Sequence, residues 1–271
     1  MLLVVSSSGQ VMCRHVTLLT SSMALAVLLW VAGIGTAQKK ASSAEQELMD
    51  AVNRERKERS LSILKWDDGL AHAASKHAEL MAEQKLLLHQ LPEEPELAVR
   101  AHEAGARFSH ITENIGMAEF ASAFHEGWMH SPGHRANILD PRIDSIGIAV
   151  VDGEERLFAV EDFALAVEPL SLEEQEKRIG SLLAARGLHL LNIGDADKKN
   201  CDAKANKQLV GSRRPGYVSE YETTNISEWP EEVEKELHLP RYKSAAVEAC
   251  PEKETAGFTS FRIIIVLYSV E

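Results

Sequence analysis

The sequence has little positive charge and lacks the short motifs of common nucleotide and hydrolase sites. Its 29 lysine and arginine residues are outnumbered by 41 aspartate and glutamate residues, so the net charge is −12. That charge argues against a nucleic-acid binder and against docking on anionic lipid. The chain contains no Gly-x-Ser-x-Gly elbow, no phosphate loop and no dinucleotide fingerprint. We therefore expect no nucleic-acid partner, and these motifs assign no cofactor.

Cysteine is also scarce, with three residues in the whole chain. Cys13 lies in an apolar N-terminal segment, which leaves Cys201 and Cys250 as an even pair. In an exported chain such a pair predicts a disulfide, and two unpaired thiols are the alternative. Both cysteines lie far along the sequence from the histidines discussed below, so no catalytic cysteine–histidine pair is predicted there.

The N-terminal segment has the composition of an export signal. Residues 16–37 are apolar and uncharged, follow Arg14 and end in the small residues Gly35-Thr36-Ala37. A basic start, an apolar centre and a small-residue end are typical of a secretory signal peptide. We predict that residues 1–37 are cleaved off, that residues 38–44 form a short linker, and that the mature protein is secreted or extracytoplasmic with no transmembrane segment. An uncleaved anchor is the alternative, because the run is close to membrane-spanning length.

The mature chain begins with helix-start signals. Ser42 or Ser43, with Glu45 or Gln46 three residues later, predicts the capping box of a first helix. Asp67 predicts the N-cap of a second helix. On the apolar stripe of this second helix, one histidine is interpreted as a packed side chain rather than a ligand; this is His77.

The patterns that follow predict a further helix and a strand pair. A helix is expected over residues 118–129, with Phe120, Phe124 and Trp128 on its core-facing side. The runs Ile146–Val151 and Leu157–Ala164 are strand-like and are joined by a turn sequence, which predicts a hairpin. Helices that cover a sheet imply a mixed α/β sandwich.

The last hundred residues predict a separate, smaller α+β domain of unknown function over residues 171–271. Ser171 and Glu174 form a second capping-box signature that opens a helix. A short helix is expected after Pro230. The β-branched run Phe261–Val270 predicts a strand at the centre of a small sheet. No catalytic motif occurs in this part of the chain.

The stretch Thr112–Leu139 concentrates the unusual local chemistry. Glu113 and Asn114 precede an isoleucine and a glycine, and Asn114 is interpreted as bonding backbone groups in a turn. Pro132 breaks the preceding helix, and Ser131 can cap a new short helix behind it. This places His134 in the first turn of the new helix.

Several of these motifs, in this order, resemble the CAP superfamily, also called the SCP domain, which includes cysteine-rich secretory and pathogenesis-related proteins. The resemblance is closest to the bacterial branch and covers residues 45–168. It implies an α-β-α sandwich for that region, in agreement with the pattern above. It is carried by Asn53 with Arg56, His89, Glu113-Asn114-Ile115, and Trp128 through Arg135.

The resemblance also implies a small polar cleft. By motif position, His89 and His134 match the two family histidines, and Glu113 matches one of the two family glutamates. Ser131 stands where many members have the second glutamate. Two imidazoles and a carboxylate can bind zinc or another divalent metal with one position left open, and they could instead act as general acid and base without metal. A polar cluster that only orients loops is the third possibility.

Taken together, the sequence predicts a secreted binding or interaction module with a His- and Glu-lined cleft and an unidentified extracellular or cell-envelope partner. The alternative is an extracellular hydrolase, a protease for instance, that uses a metal or His/Glu acid–base chemistry with Glu113 and His134 as the catalytic candidates.

Overall fold

A computed structural model describes residues 41–191, 201, 215–251 and 256–269. The described residues belong to one compact unit. The predicted signal peptide, Cys13 and residues 38–40 of the predicted linker lie outside the described residues. The helices are α1 (Ser43–Glu58), α2 (Asp68–Gln84), α3 (Leu97–Glu103), α4 (Ser122–His130), α5 (Pro132–Ile138), α6 (Leu172–Ala185) and α7 (Glu231–Leu237). The strands are β1 (Lys65–Trp66), β2 (Phe108–Ala118), β3 (Ser145–Asp152), β4 (Leu157–Ala166), β5 (His189–Leu190), β6 (Tyr217–Thr223), β7 (Tyr242–Cys250) and β8 (Phe261–Ser269).

The first sheet has the strand order β1-β3-β4-β2. The β3–β4 pair is the predicted hairpin, and β2 runs antiparallel to β4 on its other side. Alternate residues along a strand point to opposite faces, so each face of this sheet has its own core. On one face Ile146, Ile148 and Phe163 pack with residues of α1 and α4, and on the other Phe158 and Val160 pack with α2. The predicted mixed α/β class with an α-β-α sandwich is confirmed.

Local sequence explains how the helices are set on this sheet. Ser42 and Glu45 form the capping box of α1, and Asp67 accepts a hydrogen bond from the Leu70 backbone at the start of α2. On β3, Gly147 allows α2 to approach closely, because a Cβ there would lie 2.0 Å from the Ala71 nitrogen. The two predicted helix starts are confirmed.

Two predictions around β2 are wrong. Residues 118–121 are not helical: Ala118 ends β2, and α4 begins only at Ser122. Phe120 therefore points away from the core and is 67% exposed, whereas Phe124 and Trp128 are buried as expected. Asn114 lies within β2 and not in a turn. The indole nitrogen of Trp128 donates to the Ile115 carbonyl at 2.9 Å, which fixes α4 against this strand.

The second sheet has the order β5-β7-β8-β6 and is covered by α6 and α7. Strand β8 occupies an interior position, as predicted for this apolar run, and Ser171 and Glu174 cap α6 as expected. The structure joins Cys201 to Cys250 in a disulfide at the end of β7. The predicted boundary between a 45–168 domain and a 171–271 domain stays a prediction. Within the described ranges, none of the helices has the length and apolarity needed to cross a membrane.

Candidate functional site

Glu113 is the best-connected side chain of the candidate site. It lies on β2, on the sheet face covered by α2, and only 6% of the residue is exposed. One carboxylate oxygen, Oε1, is 2.8 Å from Nδ1 of His89. The other, Oε2, accepts a hydrogen bond from Arg100 and is 3.7 Å from Nε2 of His77. Both oxygens are therefore engaged inside the protein.

Three further residues extend this cluster, and sequence reasoning missed two of them, Glu94 and Arg100. His77 is fully buried, and its Nδ1 is 2.9 Å from the carboxylate of Glu94 in the loop before α3. Arg100 comes from α3 and is buried. His77 is thus a packed histidine, as interpreted, but one with acidic partners. We call His77, His89, Glu94, Arg100 and Glu113 the Glu113 cluster. Neither Glu94 nor Arg100 is marked by a motif, because both depend on how the 85–107 segment folds back over the sheet.

The charges of this cluster set the protonation of its members. Burial alone would raise the pKa of Glu113, but the His89 hydrogen bond and the Arg100 and His77 charges lower it overall. The same hydrogen bond raises the pKa of His89. Glu113 is consequently an ionised acceptor. The His89 side chain is 60% exposed, so its ring remains accessible from solvent.

His134 lies in the first turn of α5, as predicted, and is half-buried. Burial lowers its pKa, and the charge of nearby His89 lowers it further. A neutral imidazole is the form that binds metal. The helix begins at Pro132, and Ser131 occupies its N-cap position, although the Ser131 side chain makes no capping hydrogen bond.

A buried hydrogen-bond network on the opposite sheet face fixes the backbone of α5. Asn114 donates through Nδ2 to the His134 carbonyl and to Oε2 of Glu161, both at 3.3 Å. Its Oδ1 accepts from Nδ2 of Asn137 at 2.9 Å, and Asn137 also donates to the Glu113 carbonyl at 3.1 Å. Asn114 thus bonds a backbone group, as predicted, but it does so from a strand and also has two side-chain partners.

Asn53 and Arg56 of α1 bind backbone groups at the far end of α5 and in the loop before β1. Asn53 donates to the Leu64 carbonyl at 3.1 Å and accepts from the Leu64 nitrogen at 2.7 Å. The fully buried Arg56 donates to the carbonyls of Ile138 and Asp140, each at 2.9 Å. This motif pair therefore stabilises the frame that presents His134.

The three predicted site residues differ in how closely they contact one another. His89 and Glu113 are in direct contact, and His134 approaches them from α5 without a hydrogen bond to either. In the part of the chain that the structure describes, only one group of three candidate ligands has its ligand atoms within 4.8 Å of one another, namely Cys201, Glu248 and Cys250, and its cysteines form the disulfide. Metal ligation by the predicted trio remains a prediction.

A second carboxyl group lies beside Glu113, although Ser131 replaces the glutamate that many family members carry. Asp162 of β4 is directly opposite Glu113 in the antiparallel register and is fully buried. Its burial and the charge of Glu113 raise its pKa well above the usual value. The acidic pair Glu161-Asp162 in an otherwise apolar strand was a sequence signal that could have revealed it.

Comparison with known proteins agrees with this architecture. Residues 49–163 match the model of the cysteine-rich secretory protein family, CAP. These residues form a CAP domain. The resemblance carried by the Glu113–Ile115 and Ser131–Arg135 motifs is therefore confirmed, and the site described above lies within this domain.

Two curated relatives from Bacillus subtilis each match part of this chain. The uncharacterized membrane protein YlbC is 30% identical over 114 residues, which are 42% of this chain and 33% of YlbC. The uncharacterized protein YkwD is 27% identical over 118 residues, which are 43% of this chain and 46% of YkwD. This chain thus spans less than half the length of each of these relatives.

Solved structures of extracellular and surface proteins are also similar. An extracellular SCP-domain protein from Bacillus anthracis is 28% identical, with a TM-score of 0.42, and the match covers 45% of this chain and 40% of that one. An outer surface protein from Borrelia burgdorferi is 20% identical, with a TM-score of 0.44, and the match covers 47% of this chain and 96% of that one.

Proposed function

We propose that the CAP domain is a binding module whose cleft takes a divalent cation, with His89 and His134 as ligands and Glu113 as the group that orients His89. The 2.8 Å contact between Glu113 Oε1 and His89 Nδ1 carries the proposal. Histidines that bind metals commonly donate their second ring nitrogen to a carboxylate, which fixes the tautomer and directs the free nitrogen toward the metal. In that arrangement Nε2 of His89 is free to act as a ligand.

The same contacts favour binding over hydrolysis. A general base needs a carboxylate oxygen that can reach a substrate proton. Both oxygens of Glu113 already have partners in His89 and Arg100, and its lowered pKa makes it a weak base. For this reason we give Glu113 an orienting role and do not extend the proposal to the hydrolase alternative.

Zinc titration by calorimetry at pH 7.5 tests the proposal. The wild-type protein should bind one zinc ion, and His89→Ala or His134→Ala should abolish stoichiometric binding without loss of the fold. Glu113→Gln should weaken binding on the order of 10- to 100-fold, the usual effect of removing an orienting partner. His72→Ala, which changes an exposed histidine on α2, is the matched control. Zinc binding that survives both site substitutions would contradict the proposal.

We also propose that the protein acts outside the cytoplasm. The apolar segment before Gln38, with its small-residue end, supports export, and the Cys201–Cys250 disulfide suits an oxidising compartment. N-terminal sequencing of the exported protein should begin at or near Gln38. A mature protein that still begins upstream of Leu25 would indicate an anchor instead.

A further inference from the structure

Glu161 is a buried acidic residue that the proposed metal site does not use. It lies on β4, on the sheet face packed by α1, α4 and α5, and none of its surface is exposed. Its Oε2 accepts from Asn114, whereas Oε1 has no hydrogen-bond partner among the described residues. A buried carboxyl group with a single hydrogen bond and an unpartnered oxygen is costly, so such a group requires a specific explanation.

We propose that Glu161 is a positioning residue that sets the placement of His134 by orienting the side chain of Asn114. This inference rests on the proposed function only in treating His134 as part of the binding site. Its basis is a continuous chain of contacts from Glu161 through Asn114 to the backbone of α5.

The orienting effect follows from the two different ends of an amide. The amide group of Asn114 has a donor nitrogen and an acceptor oxygen. Because Glu161 Oε2 accepts, it selects the orientation in which Nδ2 faces it, and the same nitrogen then donates to the His134 carbonyl. Oδ1 is left to accept from Asn137. The reversed amide would place oxygen against oxygen at both His134 and Glu161.

This network joins α5 to β2 at two points. Asn114 binds the carbonyl of His134 in the first turn, and Asn137 in the last turn donates both to Asn114 and to the Glu113 carbonyl. Since α5 is only 7 residues long, two such contacts fix the whole helix and with it the direction of the His134 ring. Loss of the Glu161 acceptor should therefore move His134, although Glu161 itself does not contact His134.

Two substitutions at Glu161 separate orientation from packing. Glu161→Gln keeps an acceptor oxygen of the same shape, whereas Glu161→Met keeps the length and removes the acceptor. In the metal-free protein, we expect the NMR signals of the His134 ring and of the α5 backbone amides to be unchanged in Glu161→Gln. In Glu161→Met the same signals should be clearly shifted. Zinc affinity should follow, with a loss on the order of 10- to 100-fold for Met alone. Ile263→Val, in the core of the second sheet, is the control for general destabilisation.

The outcomes are distinguishable from those of the metal proposal, because the His134 signals are read without metal. Unchanged His134 signals in Glu161→Met, or an equal shift in Glu161→Gln, would overturn the inference. A shift in Ile263→Val of the same size would do so as well. If Glu161→Met does not fold, Asn137→Ala breaks the same network from its half-buried end, and unchanged His134 signals there would likewise contradict the inference.

Discussion

Glu113 and Asp162 lie directly opposite each other on β2 and β4, both buried beneath α2. Two neighbouring carboxyl groups in a protein interior do not both ionise, because burial and mutual repulsion oppose the second charge. Arg100 contacts Glu113, so the negative charge of the pair is on Glu113. Burial together with this charge raises the pKa of Asp162. Ionisation is therefore favoured at Glu113 and disfavoured at Asp162.

The first prediction follows from the dependence of Glu113 on Arg100. Arg100→Met removes the cation from a buried ion pair and leaves an uncompensated carboxylate, which should lower the free energy of unfolding by about 3–5 kcal/mol. Urea denaturation at pH 7 measures this. Arg59→Met, at an exposed ion pair with Glu55, should cost less than about 1 kcal/mol. Equal losses in the two variants would show that the Arg100–Glu113 contact contributes no more to the free energy of unfolding than an exposed ion pair.

Much of the α-helical frame could be predicted from sequence, because helix caps are local signals. Ser42 and Asp67 mark the starts of α1 and α2 through side chains that bond only three residues away. Strand β2 was missed, because its polar residues do not alternate with apolar ones. Glu113 and Asn114 are both buried, but they lie on opposite faces of the sheet and belong to different hydrogen-bond networks. Polar residues on both faces conceal the usual strand period.

Only part of the site could be predicted, because sequence reasoning identifies local motifs but not contacts made by the fold. Motif resemblance identified His89, Glu113 and His134. Glu94, Arg100 and Asp162 could not be found this way, because the register of β2 with β4 and the path of the α2–α3 loop bring them to Glu113. The placement of Glu94 and Arg100 has no local sequence signature, and for Asp162 the only local signal is the acidic pair Glu161-Asp162 in an apolar strand.

The second prediction concerns the titration of His89. Its hydrogen bond to Glu113 raises the pKa of the His89 ring, so the imidazolium form persists to higher pH. In Glu113→Gln the carboxylate is gone, and the titration midpoint of His89 should fall. NMR of the ring signals between pH 5 and 9 measures it, with the signals of exposed His72 as an internal reference. A midpoint that does not move would place the two side chains apart in solution.

Protonation of His89 also sets the direction of the metal response. A ligand histidine must be neutral, so zinc affinity should decrease as pH falls through the titration range of His89. The decrease should begin at a higher pH than for an ordinary histidine, because the pKa of His89 is raised. Calorimetric titration at pH 6, 7 and 8 measures the trend. Affinity that is constant over this range would exclude His89 as a ligand.

The third prediction concerns the disulfide. Cys201 and Cys250 are 49 residues apart in sequence, and closing a loop of that length restricts the unfolded chain. The chain-entropy model gives a stabilisation on the order of 4 kcal/mol. The double variant Cys201→Ser/Cys250→Ser should lose about that amount in urea denaturation, and mass spectrometry of the native protein without reductant should find no free thiol at either position. Two free thiols there would remove the basis of the prediction.

The last prediction uses the buried acid Glu161. Burial raises the pKa of Glu161 to about 8, even though its hydrogen bond from Asn114 acts in the opposite direction. The folded state therefore keeps a proton that the unfolded state releases near the ordinary glutamate value. Between these two pH values the unfolded state binds fewer protons, so stability falls as pH rises. Below the ordinary glutamate pKa both states are protonated, and this effect vanishes.

Glu161→Gln removes that dependence, because an amide does not ionise and can still accept from Asn114. The variant should match the wild type at pH 4 and become progressively more stable than it up to pH 8, with a difference on the order of 3 kcal/mol at pH 7. Urea denaturation across this range measures the difference, and Glu47→Gln on the exposed side of α1 is the control. A Glu161→Gln difference that stays constant with pH would mean that Glu161 is ionised in the folded protein. Asn114 would then be bound by a carboxylate whose charge the fold must stabilise by other means.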